Sequence, residues 1–216
     1  MNIGLMGGTF NPVHSAHLRI AEEAREVCSL DQVYFIPAAD PPHKALAGDT
    51  PFHLRCQMVS IAVAGNPFFK LSDIEGHRAG KSYSIDTIGI FRERNTDAAL
   101  FFIIGSDSFF EIGSWHRYAE IFHLCSLIVV ERPGFSPTDL LEALPVAIRA
   151  EFSYTPPSRT LQHVSGRSVH FLKGCPMDIS STNIRHLVAT GRSIANLVPP
   201  GVESYINDQR IYCECP

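Results

Sequence analysis

Residues 7–18, Gly-Gly-Thr-Phe-Asn-Pro-Val-His-Ser-Ala-His-Leu, constrain the fold of this chain more than any other stretch. A short apolar run at 3–6 precedes them and reads as a buried first strand, and from Ser15 the pattern turns helical. Glycines at the end of a strand let the backbone approach a ligand with no Cβ in the way. The helix that follows points free N–H groups and the positive end of its dipole at the same spot. His14 and His17, three apart, fall on one face of its first turn. Strand, glycine turn and helix make one unit of an α/β protein. Its mouth suits a polyphosphate, with two imidazoles against the reacting phosphate.

The two commonest nucleotide loops are excluded by spacing. No G-x-x-x-x-G-K-[ST] phosphate loop occurs. Gly4, Gly7 and Gly8 do not fit the G-x-G-x-x-G dinucleotide fingerprint. The bland alternative for His14 and His17 is a pair of helix-start histidines in ordinary hydrogen bonds. The strand–glycine–helix setting favours chemistry over that alternative.

Further strands are expected at 33–37, 68–71, 98–104, 126–130 and 169–172, and the run at 98–104 is apolar on both faces, as a central parallel strand requires. Helices are expected at 52–64, 84–94, from Asp107, and at 140–150, 181–190 and 202–208, with Gly191 closing the helix before it. Residues 153–167, rich in Ser, Thr and Pro, read as a loop. Strand–helix alternation predicts a doubly wound, Rossmann-like parallel sheet with helices on both faces. With 216 residues and no linker, one domain over 1–216 is expected, with a short helical C-terminal part from about 180.

Composition narrows the partners. A formal charge of −4 leaves no basic footprint for nucleic acid. No apolar run approaches the ~20 residues that span a bilayer, and the N-terminus lacks a signal core. Six scattered cysteines without C-x-x-C read as reduced thiols of a cytoplasmic protein. Cys213 and Cys215 could bind a metal, although a plain frayed terminus is the simpler reading. Oligomeric state is left open, a homo-oligomer included.

Other segments carry chemistry of their own. Ile179-Ser180-Ser181-Thr182-Asn183-Ile184-Arg185 offers an N-cap serine, hydroxyls and, one turn in, the donor fork of Arg185 to an anion; a well-capped helix with a surface arginine is its structural alternative. His43 and Lys44 follow Pro41-Pro42 at the carboxyl end of the second strand, where open α/β sheets bind ligands. Gly105 and Asp107 end the central strand, where an aspartate can hold ribose hydroxyls or cap the next helix. Trp115, beside His116, is either core filler or a stacking surface. Arg132 adds a cation to this rim.

GGTFNPVHSAHL resembles the GGTFDPxHxGHL signature of nucleotidyltransferases with the T/H-x-G-H motif, and ISSTNIR resembles their ISSTxIR. With DPPHK at 40–44, SYS at 82–84, IIGSD at 103–107 and ERPG at 131–134, the chain is similar to bacterial nicotinate mononucleotide adenylyltransferases from residue 4 to about 205. The resemblance implies adenylyl transfer from ATP to nicotinate mononucleotide, with Mg²⁺ on the ATP phosphates and no metal ligand from protein side chains. It implies that His14, His17, Lys44 and Arg185 are catalytic. Gly7, Gly8, Thr9, Phe10, Gly105, Asp107, Ile179, Ser180, Ser181 and Thr182 would line the ATP. His43, Lys44, Ser84, Trp115, His116 and Arg132 would hold the mononucleotide, with Trp115 on its pyridine ring. Three positions depart from the pattern. Ala16 replaces a glycine, and its methyl is expected to narrow the nucleotide's approach. Asn11 replaces an aspartate without harm, and Ser84 keeps the hydroxyl of the usual threonine.

Relatives acting on phosphopantetheine or nicotinamide mononucleotide are the nearest competitors. The pantetheine enzymes are shorter and would not need the features at 104–134. A regulatory nucleotide binder would not need His14, His17, Lys44 and Arg185 together. A hydrolase would show a G-x-S-x-G elbow or paired carboxylates in a likely site, and neither is present.

Overall fold

The computed structural model describes residues 1–42, 50–131, 140–174 and 177–213. Eight strands form one sheet: β1 (Asn2–Gly8), β2 (Gln32–Pro37), β3 (Phe69–Leu71), β4 (Ala99–Gly105), β5 (Ser126–Val130), β6 (Phe152–Tyr154), β7 (Thr160–His163) and β8 (Ser168–Leu172). Their order is β3-β2-β1-β4-β5-β8-β7-β6. The first six in that order are parallel. The last two join antiparallel.

Alternation along the strands builds two cores. Ile3 and Leu5 of β1, with Leu100, Phe102 and Ile104 of β4, face one side; Met6 and Ile103 face the other. Helices α3 (Ser84–Arg94), α4 (Ser106–Phe110) and α5 (Tyr118–Leu124) cover the first side through Ile88, Phe109 and Ile121. Helices α1 (Ser15–Val27), α2 (Phe52–Val63), α6 (Ser181–Ala189) and α7 (Pro200–Asp208) cover the second through Ala21, Val59, Ile184 and Val202. Helices on both faces are what apolar parallel strands demand, since neither face can meet water. No helix among the described residues is long and apolar enough to cross a membrane.

Two expectations fail. The stretch 140–150 is no α-helix but two 3₁₀ turns, Leu141–Ala143 and Val146–Glu151. Pro145 forces Leu144 into extended backbone (ψ 150°) and breaks the run there. The supposed loop 153–167 instead carries β7 and most of β6. Phe152, Leu161 and His163 are buried while Ser153 and Gln162 are exposed, a period-2 pattern masked by the surrounding Ser, Thr and Pro. The end of α6 conforms: Gly191 is left-handed (φ 68°), and Arg192 N–H donates to the Leu187 carbonyl at 2.8 Å.

Candidate active site

Strand order reverses between β1 and β4, because the chain winds outward to β2 and β3 on one side and to β5 and β8 on the other. Ligands of open α/β sheets bind outside the carboxyl ends of the strands at such a switch point. The turn after β1 therefore lies where a ligand belongs.

His14 is the N-cap of α1, in extended backbone (φ −145°) and 5% exposed. Its N–H donates to His17 Nδ1 at 3.2 Å, and the two rings stack with centroids 3.7 Å apart. With Nδ1 accepting, a neutral His17 carries its proton on Nε2. His17 is half-buried, so this N–H has a way out. Phe10, left-handed at φ 46° and fully buried, sets its ring edge-on to His17 at 5.1 Å. The glycine pair divides its labour. A Cβ at Gly8 would lie 3.1–3.3 Å from the Phe10 ring, so Gly8 makes room for protein. A Cβ at Gly7 would meet only Phe102, at 3.5 Å or beyond, so its open side is left to a ligand.

The second helix mouth comes to the same turn. Ser180 caps α6 by accepting from the Asn183 N–H at 3.2 Å. The Ser181 hydroxyl donates to the Pro12 carbonyl at 2.9 Å, and Arg185 Nη1 donates to the Asn11 carbonyl at 2.8 Å. Arg185 Nη2 reaches Thr182 Oγ1 at 3.3 Å. Two segments more than 160 positions apart are thus fastened backbone to side chain, with both helix N-termini, two imidazoles and a guanidinium at one place. Ile179 packs against the apolar core as the strut beneath this mouth.

On the other side of the switch point, Gly105 is the N-cap of α4 and Asp107 is exposed in its first turn, so Asp107 is not the cap. Trp115 is half-buried, edge-on to Phe102 at 6.2 Å. His116 lies over Tyr83 at 4.4 Å, which brings the 115–116 segment against the start of α3, where Ser84 is the first helical residue. The Ser82 hydroxyl is already engaged, accepting from Ala39 and Asp40 N–H at 3.1 and 3.0 Å. His43, Lys44 and Arg132 lie outside the described residues.

A cytidylyltransferase-like family model matches residues 5–187. A probable nicotinate-nucleotide adenylyltransferase of Pelobacter propionicus is 68% identical over 216 residues, all of both chains. The chain belongs to the nicotinate-nucleotide adenylyltransferase family. A relative of the same name from Geobacter sulfurreducens is 58% identical over 98% of each chain. The fold is shared with a Plasmodium falciparum nicotinic acid mononucleotide adenylyltransferase solved with NaAD, at TM-score 0.74 and 20% identity over 98% of this chain and 97% of that one.

Within this adenylyltransferase family pattern the departures have structural readings. Ala16 is 5% exposed, so little of its methyl faces a ligand and the expected narrowing does not follow. Asn11 is buried, and its Oδ1 accepts from the Tyr212 hydroxyl at 2.7 Å. Arg55 has no counterpart in the sequence reading. It is fully buried in α2, with Nη1 donating to the Thr9 carbonyl at 2.7 Å and Nε to the Thr50 carbonyl at 3.3 Å. Burial lowers the pKa of its guanidinium below the ordinary range. It anchors the residue just before the left-handed Phe10. Its position among apolar α2 neighbours was the only signal, and polar carbonyl partners cannot be read from letters.

Proposed function

We propose that the chain transfers the adenylyl group of ATP to the 5′-phosphate of nicotinate mononucleotide, giving nicotinate adenine dinucleotide and pyrophosphate. The observation that carries this reading is the joining of the two phosphate-type helix mouths at the switch point, through Arg185 to Asn11 and Ser181 to Pro12. The names of full-length relatives supply the acceptor.

An oxygen of the mononucleotide phosphate attacks the α-phosphorus of ATP. The bond to the bridging oxygen breaks, and its electron pair leaves with pyrophosphate. Transfer of this kind needs positioning and charge stabilisation more than covalent help. His17 Nε2–H donates to the α-phosphoryl oxygens as charge grows there. His14, stacked against it, fixes its plane and tautomer. Arg185, Ser180, Ser181 and Thr182 hold the β- and γ-phosphates. Gly7, Gly8, Thr9 and Phe10 form the floor, and Gly105 and Asp107 take the ribose. His43, Lys44 and Arg132 clamp the mononucleotide, and Trp115 stacks on its ring. The described donors around the phosphates are imidazole, hydroxyl, guanidinium and backbone N–H. They suit phosphate oxygens and not a hard dication, which prefers anionic oxygen. Mg²⁺ would therefore be carried by ATP and, when bound, would neutralise phosphate charge. The chain works as one nucleotidyltransferase domain, and its cysteine usage supports a cytoplasmic setting.

One observation keeps the amide mononucleotide as a second reading. Asp86 stands in the first turn of α3, two residues beyond Ser84, and opposes an anionic substituent held there. The test is pyrophosphate release from ATP with nicotinate mononucleotide, nicotinamide mononucleotide and phosphopantetheine side by side. If two main-chain N–H groups at the start of α3 hold the carboxylate, an amide would leave them unpaired at ~1–3 kcal/mol each, so the acid should lead by roughly 10²-fold. Equal kcat/KM for acid and amide would remove the selectivity, and turnover with phosphopantetheine alone would remove the acceptor.

A further inference from the structure

At the opposite edge of the sheet, three side chains with metal-ligand chemistry converge. His123 ends α5, Glu151 ends the second 3₁₀ turn, and His163 ends β7, and their ligand atoms all lie within 4.8 Å of one another. Because β7 runs antiparallel to β8, His163 emerges where the parallel strands begin, away from the carboxyl ends that form the adenylyl-transfer site.

The His163 side chain is 1% exposed. It is held beside Phe152 at 4.7 Å and Phe122 at 6.0 Å. Its Nδ1 lies 2.8 Å from Ser165 Oγ, whose own hydroxyl donates to the Phe122 carbonyl at 2.8 Å. Nδ1 also accepts the Ser165 N–H at 3.2 Å, so in the metal-free site the ring proton of a neutral His163 sits on Nε2. That Nε2–H donates to Glu151 Oε2, 3.0 Å away. A divalent ion in place of that proton would take both Nε2 and the carboxylate as ligands. With the ring proton moved to Nδ1, Ser165 Oγ at 2.8 Å would accept it, the usual support of a metal-bound imidazole.

We propose that His123, Glu151 and His163 bind one zinc-class divalent ion. Two imidazoles and a carboxylate form a borderline donor set suited to zinc, with a fourth position for water. Two donors on one tetrahedral zinc lie roughly 3.4 Å apart, so the 3.0 Å pair needs to open by only a few tenths of an ångström. His123 is exposed and the Glu151 side chain is 42% exposed, which leaves an entry path and a ligand ring free to swing inward. The ion would staple the antiparallel β6–β7 edge to α5. It supports the fold and takes no part in adenylyl transfer.

The test uses the full chain carrying Cys213→Ser and Cys215→Ser, so that the tail thiols do not compete, stripped with chelator and titrated with Zn²⁺ and with Co²⁺. One ion per chain, visible d–d bands with Co²⁺ and a higher Tm with Zn²⁺ are expected. His123→Ala and Glu151→Gln should each weaken binding on the order of 100-fold and cancel the Tm gain, with unchanged adenylyl transfer. His17→Ala should keep the metal signal. Stoichiometric binding untouched by His123→Ala and Glu151→Gln, or lost with His17→Ala, would overturn the site, as would no binding at all.

Discussion

Replacing His17 separates the cap contact that ring makes from the donor role proposed for it. Its Nδ1 accepts the His14 N–H at the start of α1, and the ring is half-buried. In His17→Ala the first loss is a helix-cap contact, about 1 kcal/mol. For a chain of this length that lowers Tm by about 2–4 °C. The second loss is a donor aimed at charge that develops in the transition state, ~10²–10⁴ in kcat, or roughly 3–5 kcal/mol. Asparagine tells the two apart. Its Oδ1 can stand where Nδ1 stands and accept from His14, but it has no donor at the position of Nε2. His17→Asn should therefore recover most of the Tm and almost none of the kcat, with KM for ATP changed little in either variant. Melting curves and steady-state pyrophosphate release on the three proteins decide the matter. If His17→Asn restores kcat to within tenfold of wild type, or folded His17→Ala turns over normally, the imidazole is a cap and nothing more.

Arg185→Lys keeps the charge but cannot reach the Asn11 carbonyl and a phosphate together. It should cost ~10–10² in kcat/KM for ATP, the worth of one charged hydrogen bond, with KM for the mononucleotide changed less than about threefold. Equal damage with both substrates would make the residue structural. Arg55→Lys leaves a buried ammonium without the Thr9 and Thr50 carbonyl pair, so Tm should fall by about 5–10 °C, from roughly 2–4 kcal/mol; a Tm within about 1 °C of wild type would refute the anchor. Burial pushes the thiols of Cys28 and Cys56 up to about 11 and of Cys125 to about 12. Unfolded thiols ionise near ~8.5, so the folded chain holds these protons longer, and the thiols' contribution to stability should be flat below that pH and fall as pH rises through 9 to 12. Urea midpoints against pH, with Cys125→Ala flattening the slope, check the sign.

The parallel half of the sheet was legible because each strand there is a continuous apolar run between turn signals. β5 and α3 match the expected bounds to the residue. The antiparallel edge was not. β6 and β7 are short, and their half-buried alternation includes a histidine, His163, that a hydropathy reading counts as polar. At 140–150 the apolar spacing is genuinely helical, but Pro145 overrides it through the backbone of its neighbour. A pattern of side chains describes what wants to be buried. It does not say which backbone hydrogen bonds one imino acid removes.

The candidate site divides the same way. Glycines, cap residues and histidines are visible as letters because their roles are local, each acting within a turn of its own helix. What joins them is not local. Asn11 is the hub: its carbonyl accepts from Arg185, its side chain from Tyr212, and the carbonyl of Pro12 beside it accepts from Ser181. Arg55 does the same for Thr9 from below. All of these bonds but the Tyr212 one end on main-chain carbonyls, which every residue carries and no motif can mark. An aspartate at position 11 would keep the carbonyl and still accept from Tyr212, which explains physically why asparagine can stand there. Where the proposed anion would lie is therefore written in the side chains, and how tightly the two segments around that place are held is written in the backbone.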